Sequence, residues 1–246
     1  NQLHGGPEGF DKRRWRIERQ NDSEVLFSLT SPDGDQGYPG TVNATAHFRL
    51  GDDHRITIEY RATTDKPCPV NLTNHAYFNL DGAQGDVRNH TLQLLADAYL
   101  PVDEMGIPTG DLKKVALTSF DFRTPKTVAE EFLSDEDQRV VKGYDHAFLL
   151  QAQGDVTTPA AHLWSTDKQL QMSVYTSAPA LQFYSGNYLE GTPARGGKTY
   201  SAWQGLALES EFLPDSPNRP DFPQPDCTLQ PGDEYVSRTE YHFIPL

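Results

Sequence analysis

The segment LTNHAYFNL, from Leu72 to Leu80, carries a histidine and a tyrosine two residues apart. Successive side chains of a β-strand point to opposite faces, so His75 and Tyr77 would share one polar face. The other face would be apolar apart from Asn74. This pattern fits an antiparallel strand with one face on a core and the other toward water or a cavity. His75 is therefore a candidate for proton transfer, and a buried histidine satisfied by a neighbouring side chain is an equal alternative.

A second candidate site is the carboxylate pair Glu209 and Glu211 in GLALESEFLPD. Residues two apart on a strand share a face, so the two carboxylates would lie side by side. Two close carboxylates repel each other unless one is solvated or paired, and the repulsion raises the pKa of one of them. An edge strand kept soluble by its charges would explain the pair equally well.

Two further segments place a titratable side chain among small or apolar residues, where burial can shift its pKa. His4 precedes two glycines in LHGG, which allow a tight turn or a close approach of the backbone to a ligand. A surface histidine near a chain end is the simpler interpretation. Asp145 and His146 are adjacent in GYDHAFLL, so in a strand they would point to opposite faces. One of these two is therefore predicted to be structural.

The elements that must position these side chains are short alternating runs separated by Gly, Pro, Asp and Asn, which is typical of β-strands joined by turns. Besides 72–80, the predicted strands are 24–31, 41–50, 55–63, 147–153, 161–166, 170–177 and 234–246. The best helix candidate is 127–140, and the proline-rich segment 213–226 is predicted to cross the surface as an extended loop. These elements predict an all-β fold, a large sandwich or barrel.

The composition argues against several classes of protein. A formal net charge of -14 and a pI near 4.9 disfavour nucleic-acid binding, which needs a surplus of Lys and Arg in a patch. No stretch approaches the roughly 20 apolar residues that span a bilayer. Cys68 and Cys227 offer neither a CxxC redox pair nor a four-ligand zinc site, and two free thiols in a reducing cytoplasm are expected. The sequence thus predicts a cytoplasmic protein without nucleic-acid or membrane partners.

Five motifs follow one another along the chain: LHGG with GFDKRRW close behind it, TNHAYFNL, KGYDHAFLL, LQFYSGN and LESEFLPDSPN. In this order they closely resemble the aldose 1-epimerase family, with the bacterial galactose mutarotases nearest. The resemblance implies an antiparallel β-supersandwich with little helix, which forms a single domain over residues 1–246. It also implies an open cleft that binds a hexose, galactose or glucose, and interconverts its α and β anomers without a cofactor.

The resemblance also assigns roles residue by residue. Glu209 matches the general base of the family, and His75 matches its general acid. Tyr77, two residues from His75, would line the cleft. The positions that match hydrogen-bonding contacts to the sugar hydroxyls and the ring oxygen are His4, Asp145 and Gln182.

The chemistry of mutarotation requires this mixture of groups. The hemiacetal opens, the freed aldehyde rotates about the C1–C2 bond, and the ring recloses on the opposite face. One group must therefore take the proton of the C1 hydroxyl while another delivers a proton to the ring oxygen. A carboxylate with a raised pKa suits the first task, and a protonated imidazole suits the second. The open-chain intermediate is a neutral aldehyde, so the reaction does not require a metal ion.

The resemblance is incomplete at the start of the chain. Members of the family have a substantial segment ahead of LHGG, with a GRYANRI-like stretch whose Asn-Arg pair contacts the sugar. This arginine has no counterpart in the sequence. We therefore expect a processed or truncated form with impaired activity, whose unpaired strand edges would favour self-association.

Three other functions are also compatible with a cleft that binds a sugar. A glycoside hydrolase would also use paired carboxyl groups, but the histidine acid and the motifs argue against it. A non-catalytic sugar-binding module is favoured by the missing arginine. A phosphosugar epimerase of related fold is disfavoured, because no cluster of Arg and Lys accompanies the motifs to hold a phosphate.

Overall fold

The computed structural model describes residues 2–82 and 85–246, and most of its regular structure is β-strand. The strands are Arg16–Gln20 (β1), Glu24–Ser31 (β2), Val42–Leu50 (β3), Arg55–Thr64 (β4), Cys68–Pro69 (β5), Tyr77–Phe78 (β6), Thr91–Leu94 (β7), Ala96–Tyr99 (β8), Lys113–Lys114 (β9), Lys126–Thr127 (β10), Asp145–Leu150 (β11), Ala161–Trp164 (β12), Leu170–Thr176 (β13), Ala180–Tyr184 (β14), Leu206–Glu211 (β15), Thr228–Leu229 (β16) and Tyr235–Pro245 (β17). The helical segments are Glu136–Val140 (α1) and the 3-10 turns Asp35–Gly37, Val87–Asn89, Arg195–Gly197 and Ser216–Asn218.

Among the residues described, the strands pair into two large sheets and one small ribbon. The nine-stranded sheet has the order β1-β2-β3-β4-β17-β13-β12-β7-β10, and the six-stranded sheet has the order β6-β15-β14-β11-β8-β9. The ribbon joins β16 to β5. The pairings are antiparallel. The prediction of an all-β, antiparallel fold with little helix is confirmed.

The main core lies between the two large sheets. Alternate residues of the central strands face it, as the period of two along a strand requires. The nine-stranded sheet contributes Ile58, Met172 and Tyr241, and the six-stranded sheet contributes Phe148 and Phe183. Each fully buried Leu, Phe or Met contributes about 1.5–3 kcal/mol by leaving water.

The opposite face of the six-stranded sheet carries a smaller apolar cluster. Ala147 and Ala180, which point away from the main core, pack there with Leu213 and Phe222. The proline-rich segment 213–226 supplies the last two residues. It is a loop as predicted, but it is turned rather than extended, because a 3-10 turn at Ser216–Asn218 folds it back on itself.

Most of the predicted strands are confirmed. The segment 24–31 matches β2 in full, and 41–50, 55–63, 170–177 and 234–246 match their strands within one residue at each end. The segments 147–153 and 161–166 are strands that end earlier than predicted, at Leu150 and Trp164.

Two predictions of secondary structure are wrong over most of their length. Of 72–80, only Tyr77–Phe78 is strand, because side chains take up the backbone hydrogen bonds of the residues before it. Of 127–140, only Glu136–Val140 is α-helix. Glu131 and Leu133 have left-handed backbone angles, with φ of 58° and 59°, which a right-handed helix cannot accommodate. The helix begins after them, where the Asp135 side chain accepts a hydrogen bond from the amide of Asp137.

One edge of the nine-stranded sheet is the strand β1. Its residues Arg16–Gln20 are all exposed, and charged side chains on such an edge discourage pairing with another chain. Self-association through strand edges therefore stays a prediction, as does the single-domain boundary of 1–246.

Candidate active site

The candidate site lies on the face of the six-stranded sheet that points away from the main core. Directly paired residues of antiparallel strands point to the same face, and Glu209 on β15 pairs with Gln182 on β14. Gln182 pairs with Ala147 on β11, two residues from Asp145. The register therefore brings Glu209, Gln182 and Asp145 onto one surface.

The carboxylate of Glu209 is deeply buried at this surface. The residue is 7% exposed. Burial raises the pKa of Glu209 to about 8, and the charge of Asp145 adds to the shift. A carboxyl group with such a pKa changes its protonation state near neutral pH, which is what general acid–base catalysis requires.

His75 lies above Glu209, in the segment that precedes β6. Its imidazole Nε2 is 3.5 Å from Oε1 of Glu209, and its side chain is 32% exposed. The ring packs against Tyr77, with 4.8 Å between centroids, and meets Tyr184 edge-on at 6.0 Å. Burial lowers the pKa of His75, and the charge of His4 lowers it further. His75 and Glu209 thus form a contacting pair whose pKa values are displaced in opposite directions.

Asp145 and Gln182 are joined by a hydrogen bond. The Gln182 amide Nε2 donates to Oδ1 of Asp145 at 2.7 Å. Burial raises the pKa of Asp145, while this hydrogen bond opposes the shift. The other amide atom, Oε1 of Gln182, is buried and has no hydrogen-bond partner among the residues described. A buried acceptor without a partner is costly, and a sugar hydroxyl would satisfy it.

His4 stands at the mouth of the site. Its ring meets that of His75 edge-on at 5.8 Å. The backbone of His4, Gly5 and Gly6 is left-handed, with φ of 54°, 79° and 95°, and two glycines make this sequence of angles possible. The turn is closed by a hydrogen bond from the Gly6 amide to the Leu3 carbonyl at 3.0 Å. His4 is exposed, as the simpler interpretation predicted, and it also borders the site.

Asp145 and His146 point to opposite faces, as predicted for a strand. His146 is fully buried in the main core beside Phe120, with ring centroids 4.8 Å apart. Its Nδ1 accepts a hydrogen bond from the backbone amide of Asp145 at 3.0 Å. Burial lowers the pKa of His146 to about 4, so the ring is neutral at pH 7. His146 is the structural member of the pair.

The SGN part of LQFYSGN fixes the start of β11. The Ser185 hydroxyl accepts from the Tyr144 amide at 3.0 Å. The Asn187 amide donates to the carbonyls of Val141 and Tyr144 at 2.8 and 3.1 Å. These bonds hold the chain immediately before Asp145, which explains how this motif serves the site without facing it.

Sequence reasoning missed one residue of the site and left a second without a role. Tyr184 packs against both His75 and Tyr77, and its spacing of two from Gln182 is the signal that could have revealed it. Glu211 shares the face of Glu209, as its spacing predicted. Its Oε1 is buried without a hydrogen-bond partner in the described chain, and burial raises its pKa well above the usual range.

Residues 2–82 and 85–246 lack two features, a metal-ligating cluster and a membrane-spanning helix. No group of three or more His, Cys, Asp or Glu side chains in these ranges is arranged to hold a metal ion. Within the same ranges, no helix has both the length and the apolar character to cross a membrane.

The fold and the site define a class of protein, an antiparallel sandwich built like the galactose mutarotases. It carries a histidine–carboxylate pair on the outer face of one sheet. The aldose 1-epimerase family profile matches residues 1–242. An aldose 1-epimerase of Escherichia coli strain K12 is 71% identical over 244 residues, which cover 99% of this chain and 70% of that protein. The chain belongs to the aldose 1-epimerase family.

Solved structures agree with this assignment. A GalM/aldose epimerase homologue from C. elegans superposes with a TM-score of 0.89 at 32% identity, covering all of this chain and 73% of that one. A galactose 1-epimerase from Lactobacillus acidophilus superposes with a TM-score of 0.83 at 29% identity, covering 99% of this chain and 70% of that one. The galactose mutarotase-like fold predicted from the motifs is thereby confirmed.

Proposed function

We propose that this chain is an aldose 1-epimerase that interconverts the α and β anomers of D-galactose and related hexoses. The observation that carries the proposal is the 3.5 Å contact between Nε2 of His75 and Oε1 of Glu209. It joins an acid–base pair on a surface that also presents unsatisfied polar groups to a ligand. Membership of the family supports a sugar as the substrate.

Ring opening needs two proton transfers at one end of the sugar. Glu209 takes the proton of the C1 hydroxyl, and the electrons of that O–H bond form the C1 carbonyl. The bond between C1 and the ring oxygen breaks, and His75 delivers a proton to that oxygen. After rotation about C1–C2, the hydroxyl attacks the opposite face of the aldehyde. His75 then recovers its proton, and Glu209 returns its own to the C1 oxygen.

The pair must share a single proton for this cycle. In the free chain at pH 7, the raised pKa of Glu209 and the lowered pKa of His75 place the proton on the carboxyl group. Ring opening with Glu209 as the base starts from the other arrangement, carboxylate and imidazolium. The two arrangements contain the same number of protons and differ by one transfer across the contact.

The remaining polar groups are suited to hold the sugar. Asp145 can accept from a hydroxyl, and Oε1 of Gln182 offers a second acceptor close by. Tyr77, which is 46% exposed, presents an aromatic surface on the same side as His75. His4 would contact the sugar from the mouth of the cleft. Hydroxyl recognition by several fixed acceptors is what would distinguish one hexose from another.

Polarimetry of freshly dissolved α-D-galactose tests the proposal. We expect the chain to speed equilibration above the buffer rate at low buffer concentration. Glu209→Gln and His75→Asn should each lower the catalysed rate about 10²- to 10⁴-fold, the usual contribution of one positioned proton transfer.

Matched controls come from exposed residues outside the candidate site. Glu104→Gln and His54→Asn make the same chemical changes at exposed positions and should keep the full rate. If the chain binds galactose but equilibration proceeds at the buffer rate, it is a sugar-binding module. If it releases reducing sugar from a galactoside, it is a glycoside hydrolase.

A further inference from the structure

His75 lies just ahead of β6, in a part of the chain that is not paired to the sheet. In β6, Tyr77 pairs with Ala207 and Phe78 pairs with Leu206. β15 continues to Glu211, but in the described chain this pairing extends no further. If it continued in register, His75 would lie directly opposite Glu209. Instead, the backbone around His75 follows its own path above β15.

Side chains replace the missing strand pairing along this path. At its start, the Asn71 side chain accepts from the Phe212 amide at 3.0 Å and donates to the Phe212 carbonyl at 3.2 Å. Next, the Leu72 amide donates to the Tyr235 hydroxyl at 3.1 Å. These bonds satisfy backbone groups that would otherwise lack hydrogen-bond partners, so the segment can leave the sheet at a lower cost in free energy.

A single hydroxyl completes the arrangement. The Asn74 amide Nδ2 donates to the Tyr241 hydroxyl at 3.0 Å, and that hydroxyl donates to the Leu208 carbonyl at 3.1 Å. Asn74 immediately precedes His75, and Leu208 immediately precedes Glu209. The Tyr241 hydroxyl therefore links the two backbone segments that carry the acid and the base.

Tyr241 itself is rigidly held. It lies on β17, in the nine-stranded sheet across the core, and is 2% exposed. Its ring packs against Phe78 with 4.8 Å between centroids. Asn74 is oriented in turn by the Ala76 amide, which donates to its Oδ1 at 3.3 Å. The lone polar residue on the apolar side of LTNHAYFNL thus has a definite partner in the opposite sheet.

We propose that Tyr241 and Asn74 are positioning residues that fix His75 relative to Glu209 for proton transfer. The inference rests on the proposed function, since it assigns His75 and Glu209 to the reaction. Displacement of a reacting group by about 1 Å can cost about 100-fold in rate, and His75 lies in a segment that strand pairing does not hold. A buried hydroxyl bonded to both segments supplies the missing constraint.

The test is Tyr241→Phe, which removes the hydroxyl and keeps the ring that packs in the core. We expect kcat for galactose mutarotation to fall about 10- to 100-fold with little change in KM. Asn74→Ala should give a similar loss, and the double variant should lose little more than either single variant. The control is Tyr60→Phe, a tyrosine of the same core that is 8% exposed. It should keep kcat even where it lowers the melting temperature.

A second comparison separates positioning from general destabilisation. Adding Tyr241→Phe to His75→Asn should cause a much smaller loss of kcat/KM than the same change in the unmodified chain, because His75 is no longer there to position. Equal losses in both backgrounds would overturn the inference, as would an unchanged kcat in Tyr241→Phe.

The titration of His75, followed by NMR, keeps the inference testable if the chain itself shows no activity. That result would reject the proposed function alone. Burial lowers the pKa of His75, so a variant that frees its segment should move that pKa toward its ordinary value. We expect this shift in Tyr241→Phe and none in Tyr60→Phe. A His75 titration that is the same in all three proteins would overturn the inference.

Discussion

Nε2 of His75 and Oε1 of Glu209 lie 3.5 Å apart, and burial displaces the two pKa values in opposite directions. Since the working pair holds one proton, activity is lost when both groups are protonated and when both are deprotonated. We predict a bell-shaped pH profile of kcat/KM for galactose mutarotation. Its acid limb should lie below pH 6.5, and its alkaline limb near the Glu209 pKa of about 8. A rate that keeps rising above pH 9 would contradict this pairing.

The alkaline limb should respond to Asp145. Burial is the larger cause of the raised Glu209 pKa, and the negative charge of Asp145 is the second. Asp145→Asn removes that charge, so Glu209 should lose its proton at a lower pH. We predict that the alkaline limb moves down while the acid limb stays. Asp52→Asn, at an exposed position, is the control and should leave both limbs in place.

Glu211 should make the chain less stable as the pH rises. Burial raises its pKa in the folded chain, with Glu209 and Asp145 adding to the shift. The folded state therefore binds this proton more tightly than the unfolded state. The resulting stabilisation is fully present below the unfolded pKa of about 4.3 and is lost as the pH rises through the folded pKa.

Glu211→Gln keeps the shape of the side chain and removes the titration. Keeping Glu211 protonated costs the folded state up to about 1.4 kcal/mol for each pH unit above the unfolded pKa. Because Glu211 is partly accessible to water, solvent screening reduces that cost. We predict a melting temperature about 3–6 °C higher than that of the unmodified chain at pH 8, from about 1–2 kcal/mol. The difference should vanish at pH 4. An equal difference at both pH values would show that packing, and not ionisation, is the cause.

The sequence was most informative where one physical rule dominated. The spacing of two correctly placed Glu211 on the face of Glu209. Adjacency in GYDHAFLL separated Asp145 from His146. In each case the period of a strand decides the outcome without knowledge of distant residues.

The error at 72–80 arose because distant side chains decided the local structure. Residues 72–76 alternate like a strand, but Tyr235 and Tyr241 from the opposite sheet supply hydrogen bonds that strand pairing would otherwise provide. The contact between His75 and Glu209 likewise depends on how two segments far apart in sequence come together. No periodicity contains that information, so the motifs could indicate the residues of the site but not its geometry.

The turn that carries His4 has a glycine with no room for a side chain. A Cβ atom on Gly9 would lie 2.0 Å from the carbonyl oxygen of His4, far inside van der Waals contact. Gly9→Ala must therefore displace the turn, and with it the ring that meets His75 at 5.8 Å. We predict a KM for galactose raised about tenfold, the loss of about one hydrogen bond, with a smaller change in kcat.

Gly110→Ala is the matched control for this change, since its added Cβ would meet no atom within 4 Å. It should keep the KM of the unmodified chain and a similar melting temperature. Gly9 is buried, but it lies in a turn ahead of β1 and outside the strand pairings of both large sheets, so Gly9→Ala should still unfold close to the normal temperature. A raised KM in a chain that remains folded would then locate the defect in sugar binding. If both alanine variants show the same KM, His4 does not contact the sugar, and recognition must depend on the other groups of the site.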